Sequence, residues 1–336
     1  MHIRFMVPGN VRHGSGGNKY NAKLAEHLTA LGADVETVIV DGDWPVGSPA
    51  DRQRFGDMLD GGATVIADGL VASGSPDEIA GAVGKGTSVW ILSHMALADH
   101  HDLEAKALAA ATGIICPSAH AADELETKHG TQDIVIATPG ADKADPAKGS
   151  QPRHIVAVAA LLPNKSQTLL VEALSQITDL PWTVALIGSE DADPMYAAEV
   201  RAAVEHYGLH NRISVTGELT GNAFDEEWHK ADLSVLLSRS ESFGMVVTES
   251  LAHGVPVIVR QGTGAVEALG GTGAGAALDL SDPNNLTMTL RVWLTNPTLQ
   301  QRWRNNALQA RQHLQGWDTT AATVLSALGT KPQSLL

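Results

Sequence analysis

The sequence predicts an α/β protein built from two doubly wound, Rossmann-like domains facing across a cleft. Three observations predict it. Short apolar runs alternate with helical patterns along the chain, which is the pattern of parallel βαβ units. The alternation pauses near residue 150: Lys143 to Arg153 has no apolar period and is rich in Pro, Gly and charge, as suits a linker. Finally, residues 233–259 spell out one complete strand, loop, helix and strand.

In order along the first half, strands are expected at Ile3–Val7, Val35–Val40, Thr64–Ala67, Ser88–Leu92, Gly113–Cys116 and Ile134–Ala137. Helical patterns such as Asn18–Leu31 and Leu103–Ala111 lie between them. In the second half, strands are expected at His154–Ala159, Trp182–Gly188, Ile213–Thr216, Leu233–Leu237 and Val255–Val259. The run Met1 to Val7 is too short for a signal peptide and reads as the first strand.

Composition narrows the function. The chain has 336 residues, enough for two domains of ordinary size, and 43% hydrophobic residues, enough for packed cores. Its net charge of −15 argues against nucleic acid as a partner, which needs a basic surface, and against docking on anionic membranes. The single Cys116 excludes an intramolecular disulfide and a cysteine metal cluster. No apolar stretch approaches the roughly 20 residues of a membrane span, so a cytoplasmic protein without integral membrane association is expected. Abundant Ala, Gly and Asp with little Lys suggest a GC-rich, bacterial genome.

Glu241 and Glu249 stand eight positions apart in Ser-Glu-Ser-Phe-Gly-Met-Val-Val-Thr-Glu. Gly244 permits a sharp turn out of the loop, a helix is expected from Met245, and Gly254 followed by Pro256 marks its end. The loop lies at the carboxyl end of a parallel strand, where open α/β sheets bind ligands. The N–H groups of Phe243, Gly244 and Met245 favour an anion such as a diphosphate. Glu249 lies about 6 Å further along the helix. Like charge keeps it off the phosphates, but it can accept bonds from a ribose; Glu241 can do the same for a sugar hydroxyl.

The loop from Pro8 to Tyr20 is also Gly-rich and follows the first strand. It fails the dinucleotide pattern G-x-G-x-x-G, because Lys19 stands where the third Gly belongs after Gly14 and Gly16. It fails the phosphate loop too, because Asn18 follows Gly17. From its residues alone it reads equally as a flexible loop.

The segment 238–259 resembles the E-x7-E segment of retaining, nucleotide-sugar-dependent glycosyltransferases of family 4, which have the GT-B fold. The resemblance implies a sugar moved from a nucleoside diphosphate sugar to a hydroxyl acceptor, a small molecule or a glycan. It implies no cofactor beyond the sugar nucleotide as co-substrate. In its terms Glu241 and the amides of Phe243, Gly244 and Met245, with Val246 beside them, hold the sugar and diphosphate, and Glu249 holds the ribose. Gly16 and Gly17 bend over the diphosphate, and Asn18, Lys19 and Tyr20 help choose the acceptor. His94, at a strand end, matches a His near the reacting sugar; read by itself it fits a histidine satisfied in the interior equally well. Lys165 matches a Lys beside the leaving diphosphate. Many relatives carry an Arg five residues earlier, where this chain has Ala160; Arg239, Arg260 and Arg12 are the candidates to replace it. Gln261 to Glu267 resembles the family's next Gly-rich loop, and Ser118 a recurrent Ser at a strand end. Domain closure would bring Gly16, Gly17 and His94 over the reacting carbon. The domains implied are 1–147 for the acceptor and 154–316 for the donor, with a last helix over 317–336 returning to the first.

Two metal readings are weaker. His94, His100 and His101 lack the spacing of a zinc site. Asp41-Gly42-Asp43 and Asp191-Ala192-Asp193 give D-x-D, but Asp is common in turns for local backbone bonding, and this turn reading leads to the expectation of no metal requirement. Two other functions stay open: a nucleotide-sugar epimerase of the same architecture, and a nucleotide-sugar binding protein or inactive relative, motivated by Ala160.

Overall fold

A computed structural model describes residues 1–11, 14–61 and 64–329. The chain divides into two compact units, Met1–Gly140 together with the segment that begins at Gln315, and Ala141–Leu314.

The first unit runs β1 (His2–Pro8), α1 (Gly16–Ala30), β2 (Asp34–Val40), α2 (Pro49–Leu59), β3 (Thr64–Asp68), α3 (Gly69–Ala72), α4 (Pro76–Gly84) and β4 (Ser88–Leu92). It continues with α5 (His101–Ala110), β5 (Gly113–Cys116), α6 (Ala119–His129) and β6 (Val135–Ile136). The second unit runs β7 (Arg153–Val158), α7 (Gln167–Ser175), β8 (Trp182–Ile187), α8 (Pro194–His206), β9 (Ile213–Gly217), α9 (Gly221–Lys230), β10 (Leu233–Leu236) and α10 (Met245–Ala252). It ends with β11 (Val257–Arg260), α11 (Ala265–Leu269), β12 (Gly275–Leu278), α12 (Asn284–Thr295) and α13 (Pro297–Ala310). The last helix, α14 (Trp317–Gly329), belongs to the first unit.

Both sheets are parallel and six-stranded, in the orders β2-β1-β3-β4-β5-β6 and β12-β11-β10-β7-β8-β9. Each order reverses once, beside β1 in the first unit and beside β7 in the second. These reversals create the crevices at strand carboxyl ends where open sheets take ligands.

Period-2 side-chain alternation builds a core on each face. In the second unit Ile155, Val184, Leu186, Leu233, Val235 and Ile258 pack with Leu170, Val200, Leu290 and Trp303. On the other face Val156, Ala185 and Ile187 meet Trp228, while Leu236, Val257 and Val259 meet Val247 and Leu251. Each such side chain contributes about 1.5–3 kcal/mol by leaving water, so the sheet order is strongly determined. In the first unit Met6, Val65, Ala67, Val89 and Ile91 share one cluster with Phe55, Leu59 and Ile79.

The expected linker is part of the second unit. Ala147 N donates to His253 O at 2.8 Å, and Lys148 N to His229 O at 2.8 Å; Arg304 and Arg311 donate to the carbonyls of Ala147 and Ala144. These long-range partners satisfy the segment's backbone, which places the division at Gly140 rather than near 150.

Candidate functional site

In the second unit, the reversal of strand order sets the loop after β7 beside the loop after β10. Asn164 staples them: its carbonyl accepts from Arg239 N at 2.8 Å, its Oδ1 from Ser240 N at 3.0 Å, and its Nδ2 donates to Ser240 O at 3.0 Å. The next residue, Lys165, ends a 3₁₀ turn and points its ammonium at Glu241, with Nζ 2.8 Å from Oε2. Both side chains are mostly buried, 22% and 16% exposed. The sequence places these residues 76 positions apart; only the β7–β10 pairing makes them neighbours.

Gly244 has φ +82° and caps α10 with no side-chain bond. A Cβ there would lie 3.2 Å from both Ala265 Cβ and Leu236 Cδ2, so this turn needs glycine for conformation and for space. The helix start therefore presents backbone N–H groups and the positive end of its dipole. Phe243 is buried, whereas Met245, Val246 and Glu249 are half-buried. Burial pushes the His253 imidazole down, opposed by its bond to the Asp145 carbonyl and then by the Glu249 charge, one turn earlier on α10. The following loop braces the first: Gly264 N donates to Glu241 O at 2.7 Å. The helix ends as expected, with Gly254 at φ +64°.

Ala160 offers no cation. Its carbonyl accepts from Gln167 Nε2 at 3.0 Å. Of the expected substitutes, Arg12 lies outside the described residues. Arg260 Nε donates to Leu237 O at 3.0 Å, at the end of β10. Burial, then the neighbouring Arg239 charge, hold the Arg260 guanidinium below its ordinary proton affinity, with Asp279 opposing. Two cations thus sit together near the ends of β10 and β11.

In the first unit, the strand ends hold a polar cluster. His94 Nε2 is 2.8 Å from Asn21 Oδ1 and 3.4 Å from Asp68 Oδ2. Asn21 Nδ2 donates to Asp68 Oδ2 at 2.6 Å, and Leu70 N to Asp68 Oδ1 at 2.9 Å. Gly17 lies against the imidazole: a Cβ there would come 3.1 Å from His94 Cδ2. Gly16 is exposed at the start of α1, as is Lys19. Asn18 N donates to Ser15 Oγ and Asn18 Nδ2 to Val11 O. Asp68 and Asn21 were not singled out from the sequence; the one signal was an Asp closing the apolar run Val65-Ile66-Ala67.

Burial alone would raise the Asp68 carboxyl, but the His94 bond and charge, with Asn21 and Leu70, hold it below the usual range. The unfolded chain therefore binds more protons than the folded one below about 3.9, the ordinary Asp value. This stabilisation is complete above that pH and is lost as pH falls through the folded value. Asp68→Asn is expected to flatten the acid limb of the unfolding profile followed by near-UV circular dichroism; an unchanged limb would place the acid sensitivity elsewhere.

Tyr20 is corrected as an acceptor residue. It is 2% exposed, donates to Ala137 O at 2.6 Å, and meets His94 and Trp317 edge-on at 5.2 and 5.3 Å between ring centroids. Burial, then the Cys116 charge, push its phenol up, so it stays a neutral packing group. Ser118 caps α6, accepting from Ala121 N at 2.9 Å. Asp193 caps α8, accepting from Met195 N and Tyr196 N, and Asp43 O closes a turn with Gly47 N. Among the described residues no helix is long and apolar enough to cross a membrane.

The chain is similar to D-inositol 3-phosphate glycosyltransferase of Jonesia denitrificans, 30% identical over 179 residues, 51% of this chain and 42% of that protein. It is also similar to mannosylfructose-phosphate synthase of Agrobacterium fabrum, 24% identical over 53% of this chain and 40% of that one. These matches span under half the length of both relatives. Among solved structures, sucrose-phosphate synthase of Thermosynechococcus elongatus aligns over 97% of this chain and 98% of its own, with TM-score 0.80 and 18% identity. Anabaena Alr3699/HepE, solved in complex with UDP, aligns over 98% and 99%, with TM-score 0.77 and 16% identity. Those two share the two-domain Rossmann-like fold. The profile of glycosyl transferases group 1 matches residues 140–310, which takes in both loops that carry Lys165 and Glu241, and the chain belongs to that family.

Proposed function

We propose that this protein transfers a sugar from a nucleoside diphosphate sugar to a hydroxyl acceptor with retention at the anomeric carbon. The observation that carries the proposal is the Lys165–Glu241 pair, 2.8 Å apart, beside the uncapped start of α10 at the strand-order reversal. A diphosphate at that helix start would meet backbone N–H groups, the Lys165 ammonium and the Arg239–Arg260 pair. These stabilise the charge that grows as the glycosidic bond breaks. The acceptor oxygen bonds to the anomeric carbon, the bond from that carbon to the phosphate oxygen breaks, and the acceptor proton passes to the leaving diphosphate. Glu241 holds the sugar, and Glu249 the ribose. His94, fixed by Asn21 and Asp68 and with Gly17 against its ring, is the group of the first unit assigned to the transfer. The charge is supplied by protein groups, so the rate should not depend on added magnesium or manganese. The similarity to D-inositol 3-phosphate glycosyltransferase, and the HepE structures in complex with UDP and with UDP-glucose, support a sugar nucleotide as donor.

Calorimetry with UDP, GDP, ADP and their sugar conjugates tests this reading. One nucleoside diphosphate should bind. Glu249→Ala should weaken it about tenfold to a hundredfold, as loss of hydrogen bonds to a charged group does, whereas His94→Ala should lower turnover with little change in affinity. Unchanged affinity in Glu249→Ala would remove the ribose assignment. Nuclear magnetic resonance of the product reads the anomeric configuration. Ala160 favours a second reading, a protein that binds a sugar nucleotide without consuming it. Binding with no donor loss over long incubation would select it.

A further inference from the structure

Apart from the strand-end clusters, α5 and α6 bring His101, Glu104 and His129 together, with one ligand atom from each lying within 4.8 Å of the others. His101 and Glu104 are three residues apart on α5, and so share a face. His129 is the last residue of α6, its ring centroid 6.0 Å from that of His101. Its Nε2 lies 2.8 Å from Glu104 Oε2, and both side chains are 2% exposed. The Glu104 oxygens also accept from Leu97 N, at 3.1 and 3.0 Å. His101 is exposed and opens the cluster to solvent.

We infer that these three residues form a binding site for a first-row transition metal ion, with zinc the best match. Two imidazoles and one carboxylate are the ligands zinc takes, leaving a fourth position for water. Magnesium and calcium prefer oxygen ligands throughout. The carboxylate is already oriented by a backbone amide, as ligating carboxylates are. Binding would displace the proton between His129 Nε2 and Glu104 Oε2 to solvent, since a ligating imidazole nitrogen must be free of it. The ion would tie the start of α5 to the end of α6. Through Leu97 it would also fix the segment that follows His94. Its three ligands are distinct from the residues assigned to sugar transfer.

The test uses the full chain, stripped with a chelator and dialysed, then titrated with zinc chloride by calorimetry and with cobalt chloride by visible absorption. The expected result is one tight zinc per chain, intense cobalt bands of a four-coordinate site, and a melting temperature raised by zinc. His101→Ala removes an exposed ligand and should keep the zinc-free melting temperature. Its zinc affinity should fall by about tenfold or more, since even indirect partners of a metal are worth 10–100-fold. His101→Asp, which restores a ligand, should recover part of that loss. Equal zinc affinity and stoichiometry in wild type and His101→Ala would overturn the inference, leaving a buried His–Glu ion pair with a histidine nearby. Absence of zinc binding to the wild type would overturn it equally.

Discussion

Lys165→Ala is expected to lower kcat/KM for the sugar nucleotide by about 10²–10³-fold, the usual loss when one group that stabilises transition-state charge is removed. Two effects add. The leaving diphosphate loses a cation, and Glu241, 16% exposed and bonded to Lys165 at 2.8 Å, is left as an unpaired carboxylate next to an anion. A double substitution separates them. If the stranded carboxylate dominates, Lys165→Ala with Glu241→Gln recovers activity relative to Lys165→Ala; if charge stabilisation dominates, it does not. Lys165→Arg should recover only part, because a planar guanidinium does not replace a compact ammonium point for point. Initial rates of nucleoside diphosphate release measure all three. An unchanged kcat/KM in Lys165→Ala would take this residue away from the diphosphate.

Gly264→Ala is expected to abolish donor binding, and to destabilise the second unit by about 1–3 kcal/mol, as overpacking does. Its φ of −60° suits any residue, so backbone preference is not the reason. A Cβ would lie 2.0 Å from Ser242 O and 2.8 Å from Glu241 O. These are backbone atoms of the loop that carries Glu241, and they cannot rotate away. Gly262, two residues earlier, is the control. It has φ +74° and open space around its Cβ position, so Gly262→Ala should cost about 1–2 kcal/mol of left-handed strain while keeping nucleotide affinity. Thermal unfolding and calorimetric titration of the two variants check the contrast. Normal binding by Gly264→Ala would show that the loop yields more easily than its packing implies.

Much of the fold was legible because parallel strands buried on both faces read as continuous apolar runs. The turn at Gly244 and the stop at Gly254 were legible because glycine is the cheap residue for left-handed backbone. Strand β12 was not, since Gly275-Ala276-Ala277-Leu278 has no β-branched residue to announce it. The segment 143–153 looked like a linker by composition, and only the distant His229, His253, Arg304 and Arg311 make it part of a domain. Tyr20 was misplaced although its spacing with Leu24 and Leu28 marks a buried helix stripe. Asp68 and Asn21 belong to no motif. Register puts Asp68 opposite Leu92, two residues before His94, and pairing partners of this kind emerge only from the assembled sheet.

The chain of the second unit is continuous, whereas that of the first is interrupted and resumes at Gln315. During synthesis the nascent second unit can therefore complete itself while the first still waits for material. Trp317 is the missing piece: it packs on the Tyr20 ring and closes over Gly140, where even a methyl group would strike its backbone nitrogen at 2.2 Å. Thr320 and Gln315 then take up the Thr138 carbonyl. The unit whose translation starts first thus depends on α14, translated after the whole of the second unit, and the surroundings of His94, which rests on Tyr20, are complete only once α14 is in place.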